Sequence, residues 1–182
     1  NVPLQIAASG PDTDWSNIME AVFVAITNAE EYIYITTPYF IANDEIITAL
    51  QVASRSNLKV KMIVPKKSDS WIAEYATNSY LESLLEAGVE VYHYTKGFVH
   101  AKTMVIDGVF SSIGTANMDY RSFNINFEVN ALIYNKGVSN ELKEIFLEDI
   151  KDCEKLELES WQNRSKRTKI IEALARLLAP LL

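Results

Sequence analysis

The segment VHAKTMVIDGVFSSIGTAN, residues 99–117, consists of two apolar runs separated by Asp107-Gly108. An Asp-Gly pair between apolar runs is a strong short signal for a two-residue hairpin turn, because both turn positions need a positive φ that these residues tolerate. The sequence therefore predicts an antiparallel β-hairpin. If no bulge intervenes, Ile106 faces Val109 across the turn.

One face of this predicted hairpin gathers polar side chains. In the bulge-free register His100 faces Thr115. Residues two apart on a strand share a face at a spacing of about 6.6–6.8 Å, so Lys102 joins His100, and Asn117 joins Thr115 if the return strand stays extended. The patch offers an imidazole, an ammonium, a hydroxyl and an amide. This set suits a phosphate, because it holds one nucleophile and several donors to negatively charged oxygen.

Strands and helices alternate on the amino-terminal side of the hairpin. We predict strands over 4–8, 32–36, 58–64, 89–94, 99–106, 109–114 and 127–134, and helices over 14–28, 43–53, 71–87, 139–156 and 159–178. This order favours an α/β fold with a mixed β-sheet, parallel at first, flanked by helices on both faces. Trp71 and Tyr75, one helical turn apart, are expected in the core.

Composition narrows the class of protein. The 182 residues are 48% hydrophobic and 23% charged, which is typical of one soluble domain. No apolar stretch approaches the roughly 20 residues that span a bilayer. One cysteine and two histidines are too few for a closed zinc site, and we expect no metal and no cofactor. The net charge of −7 disfavours nucleic acid as a partner.

The carboxyl-terminal segment differs in charge from the rest. Residues 161–182 contain five basic residues and one acid, a net charge of +4, so residues 1–160 carry −11. Apolar residues recur there at helical spacing: Ile170, Leu174, Leu177, Leu178 and Leu181. We interpret 161–182 as a basic amphipathic helix of the same domain. It either packs on its own sheet or lies on an anionic membrane surface.

The pattern His100-x-Lys102-x4-Asp107-x6-Gly114-x-x-Asn117 resembles the HKD motif of the phospholipase D superfamily, with Thr115 where the family usually has serine. The flanking residues resemble the carboxy-terminal half of bacterial cardiolipin synthases. They are Thr37-Pro38-Tyr39-Phe40, Gly97-Phe98-Val99, Met118-Asp119-Tyr120-Arg121-Ser122 and Asn126-Phe127-Glu128. The resemblance implies a phospholipase D-like single domain, with 1–160 as an HKD catalytic half-domain.

The resemblance also implies a reaction. A motif histidine attacks a phosphodiester and forms a phosphohistidine, and a second motif histidine protonates the leaving alcohol. In a cardiolipin synthase, two phosphatidylglycerols give cardiolipin and glycerol. The implied catalytic residues are His100, Lys102, Asn117 and Glu128. Glu128 either accepts the Nδ1–H of His100 and fixes its tautomer or is an ordinary residue of a half-exposed strand.

The remaining motif residues receive other roles. Asp107 is fully explained by the turn, and Gly114 would lie on the opposite face of the hairpin, where another element packs closely. Thr115, Asp119 and Arg121 are candidate substrate-binding residues. Thr115 is alternatively a plain strand residue, and Asp119 and Arg121 could instead brace the loop as an ion pair.

The sequence departs from the family in holding a single motif, because His93 has no lysine two residues later. We therefore expect a second HKD domain as partner, from an amino-terminal half or from a second copy. We expect anionic phospholipid, namely phosphatidylglycerol, as substrate. The fragment would be peripheral to the cytoplasmic membrane, with membrane spans in the amino-terminal part of the full protein. The alternatives are a homodimeric phosphodiesterase, nuclease or phospholipase D, and a non-catalytic half-domain.

Overall fold

Strands and helices alternate along most of the chain. The computed structural model describes residues 2–178. Its strands are β1 (Leu4–Ser9), β2 (Tyr32–Thr36), β3 (Phe40–Ile41), β4 (Lys59–Pro65), β5 (Glu90–Tyr94), β6 (Thr103–Ile106), β7 (Phe110–Gly114), β8 (Met118–Asp119), β9 (Glu128–Ile133) and β10 (Cys153–Lys155). Its helices are α1 (Asn17–Thr27), α2 (Asp44–Arg55), α3 (Trp71–Glu86), α4 (Tyr120–Asn124), α5 (Lys136–Ile150), α6 (Leu158–Gln162) and α7 (Lys166–Leu177).

The main sheet is mixed, as predicted. Eight strands follow the order β1-β9-β7-β6-β2-β4-β5-β10. Strands β2, β4 and β5 are parallel, and the pairs outside them are antiparallel. All five residues of β2 are buried, which is typical of a central strand covered on both faces. A small parallel sheet joins β3 to β8.

Helices cover both faces of the main sheet, which confirms the predicted architecture. Helices α1, α2 and α3 enclose the larger apolar core on one face. On the other face α5 stacks Phe146 on Tyr34, with ring centroids 4.8 Å apart. Helices α6 and α7 pack on α3. Across residues 2–178, no helix has the length and apolar character needed to traverse a bilayer.

Two predicted helices have different bounds in the structure. The helix predicted from residue 14 begins at Asn17, because the Ser9 hydroxyl accepts the Ile18 N–H at 2.9 Å and satisfies the helix start in place of Asp14. The helix predicted over 139–156 ends at Ile150. The residues after it form β10, which pairs antiparallel with β5 and covers that edge of the sheet.

The carboxyl-terminal helix is also divided. The prediction of one helix over 159–178 is wrong, because Ser165 accepts the Thr168 N–H at 3.1 Å and starts a new helix, α7. Helix α7 packs mainly on α3. Trp71, expected in the core, is two-thirds exposed at the start of α3. Leu181 lies outside the described residues.

The hairpin forms, but its register differs from the predicted one by one residue. Val109 donates to the Ile106 carbonyl at 3.1 Å, as a two-residue turn requires, yet Ile106 pairs with Phe110. Val109 is therefore an extra, bulged residue. The shift places the large Phe110 side chain over Tyr134, at a centroid distance of 5.4 Å, and leaves the smaller Val109 exposed. Burial of the larger apolar side chain thus sets the register.

Asp107 does more than form the turn. Its carboxylate accepts the backbone N–H groups of Glu30, Glu31 and Tyr32 at 2.8, 2.9 and 2.7 Å. These hydrogen bonds fix the loop before the central strand β2 to the tip of the hairpin. The geometry agrees with the structural role predicted for this residue.

We expect Asp107→Ala to lower the free energy of unfolding by about 2–4 kcal/mol, because three amide donors lose their acceptor and alanine disfavours the backbone φ of +51°. Asp107→Asn keeps one acceptor oxygen and tolerates this φ, so it should cost less than the alanine variant. Urea unfolding monitored by circular dichroism measures both. Equal stability of the wild type and Asp107→Ala would contradict the role.

Candidate active site

The motif histidine and lysine lie side by side just before β6. Lys102 Nζ is 2.9 Å from His100 Nε2 and 2.9 Å from the His100 carbonyl oxygen. The Lys102 ammonium donates to this carbonyl oxygen, and it can also donate to Nε2 in the tautomer in which Nε2 carries no hydrogen. His100 is exposed, and burial lowers the pKa of Lys102. The arrangement presents an accessible imidazole nitrogen beside a cationic group.

Asn117 is held by a network between β7 and α4. Its Nδ2 donates to Asp119 Oδ2 at 2.9 Å, and its backbone N–H donates to Ser122 Oγ at 3.1 Å. The other Asp119 oxygen accepts the Ser122 N–H at 2.7 Å. Asp119 is buried, and burial raises its pKa while these hydrogen bonds oppose the rise. The structure therefore places Asp119 beneath Asn117 as its support, away from direct contact with solvent.

Gly114 is required by a close approach of β9. A Cβ atom at this position would clash with Asn130 Oδ1 and with the Val129 carbonyl oxygen. Asn130 is buried, accepts the Ala116 N–H at 3.2 Å and donates to Ser112 Oγ at 2.9 Å. With the observed register Gly114 lies opposite Lys102, not on the other face as predicted. Asn130 positions the loop, a role that strand alternation alone did not reveal.

Two predicted site residues do not contact His100. The Thr115 hydroxyl accepts the Val129 N–H at 2.9 Å and donates to the Val129 carbonyl at 3.4 Å, so it ties β7 to β9. Within the described residues Glu128 forms no hydrogen bond with His100; its contact is with Asn126 Nδ2, at 3.5 Å. The Glu128 carboxylate nevertheless acts to raise the pKa of Lys102, against the effect of burial.

The ion pair considered for Asp119 and Arg121 is not formed. The described part of the chain places no carboxylate within 4 Å of the Arg121 guanidinium. Arg121 is exposed and lines a cavity of about 330 Å³ with Asn117, Asn126 and Tyr39. Among residues 2–178 the Asn117 Oδ1 atom is buried without a partner. Because Arg121 forms no ion pair within the described residues, its guanidinium is available to a ligand in this cavity.

Three further residues join the site without having been assigned to it from the sequence. The Phe98 ring lies 5.4 Å from the His100 ring and 6.1 Å from Tyr39. The Tyr39 hydroxyl donates to Asp69 Oδ1 at 2.6 Å. This hydrogen bond lowers the pKa of Asp69, and burial raises the pKa of Tyr39. Tyr39 and Phe98 lie within the segments that resemble the family, whereas Asp69 had no signal in the sequence.

The charge of this cluster is unbalanced. The carboxylates of Asp69, Asp119 and Glu128 all act on the ammonium of Lys102. A phosphodiester is itself an anion, so these carboxylates oppose its binding, whereas Lys102 and the exposed Arg121 of the adjoining cavity favour it.

The chain matches known proteins along most of its length. Residues 22–150 match the family model described as cardiolipin synthase, PLD-like domain. The cardiolipin synthase of Geobacillus sp. (strain WCH70) is 46% identical over 179 residues, which cover 98% of this chain and 36% of that protein. The chain thus spans about a third of the length of the curated relatives it matches.

Solved structures share the fold. Nuc from Salmonella typhimurium, a phospholipase D family member, has a TM-score of 0.73 at 19% identity, over 86% of this chain and 99% of that chain. The phosphatidylserine synthase of Haemophilus influenzae Rd KW20 has a TM-score of 0.77 at 14% identity, over 100% of this chain and 48% of that chain. The matched residues 22–150 include the whole motif. The chain belongs to the family of phospholipase D-like domains of cardiolipin synthases.

Proposed function

We propose that the chain is one catalytic half of a cardiolipin synthase, which transfers a phosphatidyl group between two phosphatidylglycerol molecules and releases glycerol. The observation that carries the proposal is the contact of Lys102 Nζ with His100 Nε2 at 2.9 Å. A nucleophilic nitrogen beside a cation suits attack on a phosphodiester, because the cation stabilises negative charge developing on the phosphoryl oxygens. Membership of the family supports the choice of lipid.

The proposed reaction has two steps. His100 Nε2 attacks phosphorus, and an N–P bond forms as the P–O bond to the head-group glycerol breaks. The leaving oxygen takes a proton from a histidine of the other half and departs as glycerol. The same histidine then removes a proton from a hydroxyl of a second phosphatidylglycerol, whose oxygen attacks phosphorus as the N–P bond breaks. Cardiolipin leaves, and both histidines return to their starting states.

Two neighbours assist this chemistry in the proposal. Asn117 gives one amide hydrogen to Asp119, so its second hydrogen is available for a phosphoryl oxygen. Glu128 is proposed to accept the Nδ1–H of His100 in the completed site, where it would hold the tautomer and stabilise the positive charge that the ring gains. Its charge already acts on Lys102.

A second HKD domain completes the site in this proposal. His93 is unsuitable as the second histidine, because it is buried on β5, which two strands separate from β6, and burial lowers its pKa to about 4. The excess of carboxylates around Lys102 also calls for further cations. We propose that the other half supplies them, and that the assembled enzyme works at the cytoplasmic membrane, where its lipid substrates lie.

A chimera tests the proposed function. This chain replaces the matched region of the Geobacillus cardiolipin synthase, and the product is incubated with labelled phosphatidylglycerol in mixed micelles. Thin-layer chromatography should show cardiolipin and free glycerol. Formation of phosphatidic acid alone would make water the acceptor and the enzyme a phospholipase D. Absence of any product from the folded chimera would reject the proposal.

A homodimeric phosphodiesterase is a second candidate, favoured by the observation that the fold spans 99% of the short Nuc chain. In this case two copies of the chain would form one site about a twofold axis. Light scattering would then report a dimer, and the dimer would hydrolyse a generic phosphodiester such as bis(p-nitrophenyl) phosphate. A monomer without this activity would remove the candidate.

Arg121 is proposed to bind the phosphate of a lipid head group in the adjoining cavity. In the chimera we expect Arg121→Ala to raise KM for phosphatidylglycerol about tenfold or more with a smaller change in kcat, because a charge-assisted hydrogen bond is lost. Arg121→Lys should recover part of the effect. Arg55→Ala removes an exposed arginine from α2 and serves as the control. An unchanged KM with lowered stability would instead indicate a bracing role.

A further inference from the structure

Helix α7 presents an apolar row to solvent. Along one side of it the exposed fractions are 60% for Ile170, 58% for Leu174, 76% for Leu177 and 43% for Leu178. The opposite side carries the buried Glu172 and Ala175. The described residues thus leave the apolar side of α7 uncovered. We call these four exposed residues the α7 row.

Polar contacts, together with the buried Ala175, hold α7 in this orientation. Glu172 forms an ion pair with Arg164, and Lys169 Nζ lies 3.2 Å from Glu82 Oε2 on α3. The Arg176 guanidinium lies 4.3 Å from the centroid of the Tyr80 ring. The only acid of α7 is therefore buried and neutralised. A helix oriented in this way exposes its apolar side as a fixed feature of the fold.

The α7 row runs toward the end of α3 that adjoins the active site. Lys169 contacts Glu82, and Arg176, farther along α7, contacts Tyr80, nearer the start of α3. Along α7 these contacts thus move from Glu82 to Tyr80, toward the start of α3. Trp71 lies eleven residues before Glu82 and so on the same face of α3. It is 66% exposed and directly follows Ser70, which lines the Arg121 cavity.

Positive charge accompanies these apolar residues. Lys166 and Arg167 are exposed, and the described residues place no carboxylate within 4 Å of either side chain. Lys166 precedes Ile170 by four residues and Arg167 precedes Leu174 by seven. Both basic residues therefore lie on the same side of α7 as the α7 row. Lys67, in the loop before Trp71, is likewise exposed. Beyond a screening length of about 8 Å, the acidic body contributes little to a surface touching this side.

We infer that the α7 row and Trp71 together form a docking surface for an anionic lipid bilayer. The row enters the interface as an in-plane amphipathic helix, with lysine and arginine beside it at the level of the head groups. Trp71 anchors the side nearest the active site, as amphipathic aromatic residues do at membrane interfaces. A second protein would more commonly meet an apolar face without flanking unpaired cations. The inference rests on the proposed function only for the choice of phosphatidylglycerol as the anionic lipid.

Vesicle sedimentation tests this surface on the full 182-residue chain. The chain should sediment with vesicles of equal parts phosphatidylglycerol and phosphatidylcholine, and much less with phosphatidylcholine alone. Leu174→Gln should weaken this binding about tenfold, because burial of one leucine side chain is lost. Ile145→Gln, at a residue 50% exposed on α5 across the sheet, is the matched control and should bind as the wild type does. Unchanged binding of Leu174→Gln, or no binding by the wild type at low salt, would overturn the inference.

A second measurement does not depend on the row variants. Tryptophan fluorescence should be quenched by brominated lipid in the wild type and in Trp15→Phe, and this quenching should largely disappear in Trp71→Phe. Quenching that persists in Trp71→Phe would place the contact elsewhere. If light scattering shows a wild-type dimer that Leu174→Gln converts to a monomer, the row is a protein interface and the inference fails. Vesicle binding without phosphatidyl transfer by the chimera would leave the docking surface standing and reject the proposed function alone.

Discussion

We expect His100→Ala, introduced into the chimera with the Geobacillus enzyme, to abolish the phosphoenzyme and to lower cardiolipin formation by about four orders of magnitude. The loss should be this large because the substitution removes the atom that bonds to phosphorus, and neither water nor a neighbouring group replaces it. Incubation with phosphatidylglycerol labelled at phosphorus, followed by a quench in alkaline detergent and a test for acid lability, measures the adduct directly.

Two further variants separate the nucleophile from its surroundings. Lys102→Met keeps the nucleophile but removes the cation 2.9 Å from Nε2, so the adduct should form about 10²- to 10³-fold more slowly. His93→Ala, at a histidine buried near Trp161 with ring centroids 5.7 Å apart, should leave adduct formation intact in the folded fraction. A labelled adduct that persists in His100→Ala would move the nucleophile to another residue.

The α/β architecture was predictable because its signals are local. Strand β2, residues 32–36, and helix α3 were expected at nearly their observed bounds, since β-branched residues and an apolar stripe at helical spacing both report directly on burial. Two of the helix bounds that failed depend on contacts outside the helix itself. Ser9 caps α1 from the preceding strand, and β10 forms only because β5 offers an open edge. Neither partner is visible in a sequence window.

Part of the candidate site was predictable because its residues are close together in the sequence. The spacing of His100 and Lys102 brought them together in the structure, although the extra residue Val109 changed their partners across the hairpin. That bulge depends on Phe110 meeting Tyr134, a contact that no turn rule contains. Tyr39 and Asp69 reach the site through the ends of β2 and β4, so only the folded sheet shows that they are close to it.

We expect the isolated chain to form cardiolipin much more slowly than the chimera does. Without a second HKD motif, we expect its rate of cardiolipin formation to lie about 10²- to 10⁴-fold below that of the chimera, which is the range that a general acid and base contributes. The physical reason lies in the described cluster. His100 has no second catalytic histidine beside it among the described residues, and the carboxylates of Asp69, Asp119 and Glu128 act to raise the pKa of Lys102.

The charges around Lys102 also predict whether the lower activity of the isolated chain appears in KM, in kcat or in both. If the missing half supplies cations to the phosphodiester, the isolated chain should show a raised KM as well as a lowered kcat, because an anion enters a site with excess negative charge. If the missing half supplied only a proton donor, kcat alone would fall. Steady-state kinetics in mixed micelles, with the oligomeric state checked by light scattering, distinguish the two cases. Turnover at the rate of the chimera by a demonstrated monomer would show that one motif is sufficient and that the chain is not half of a site.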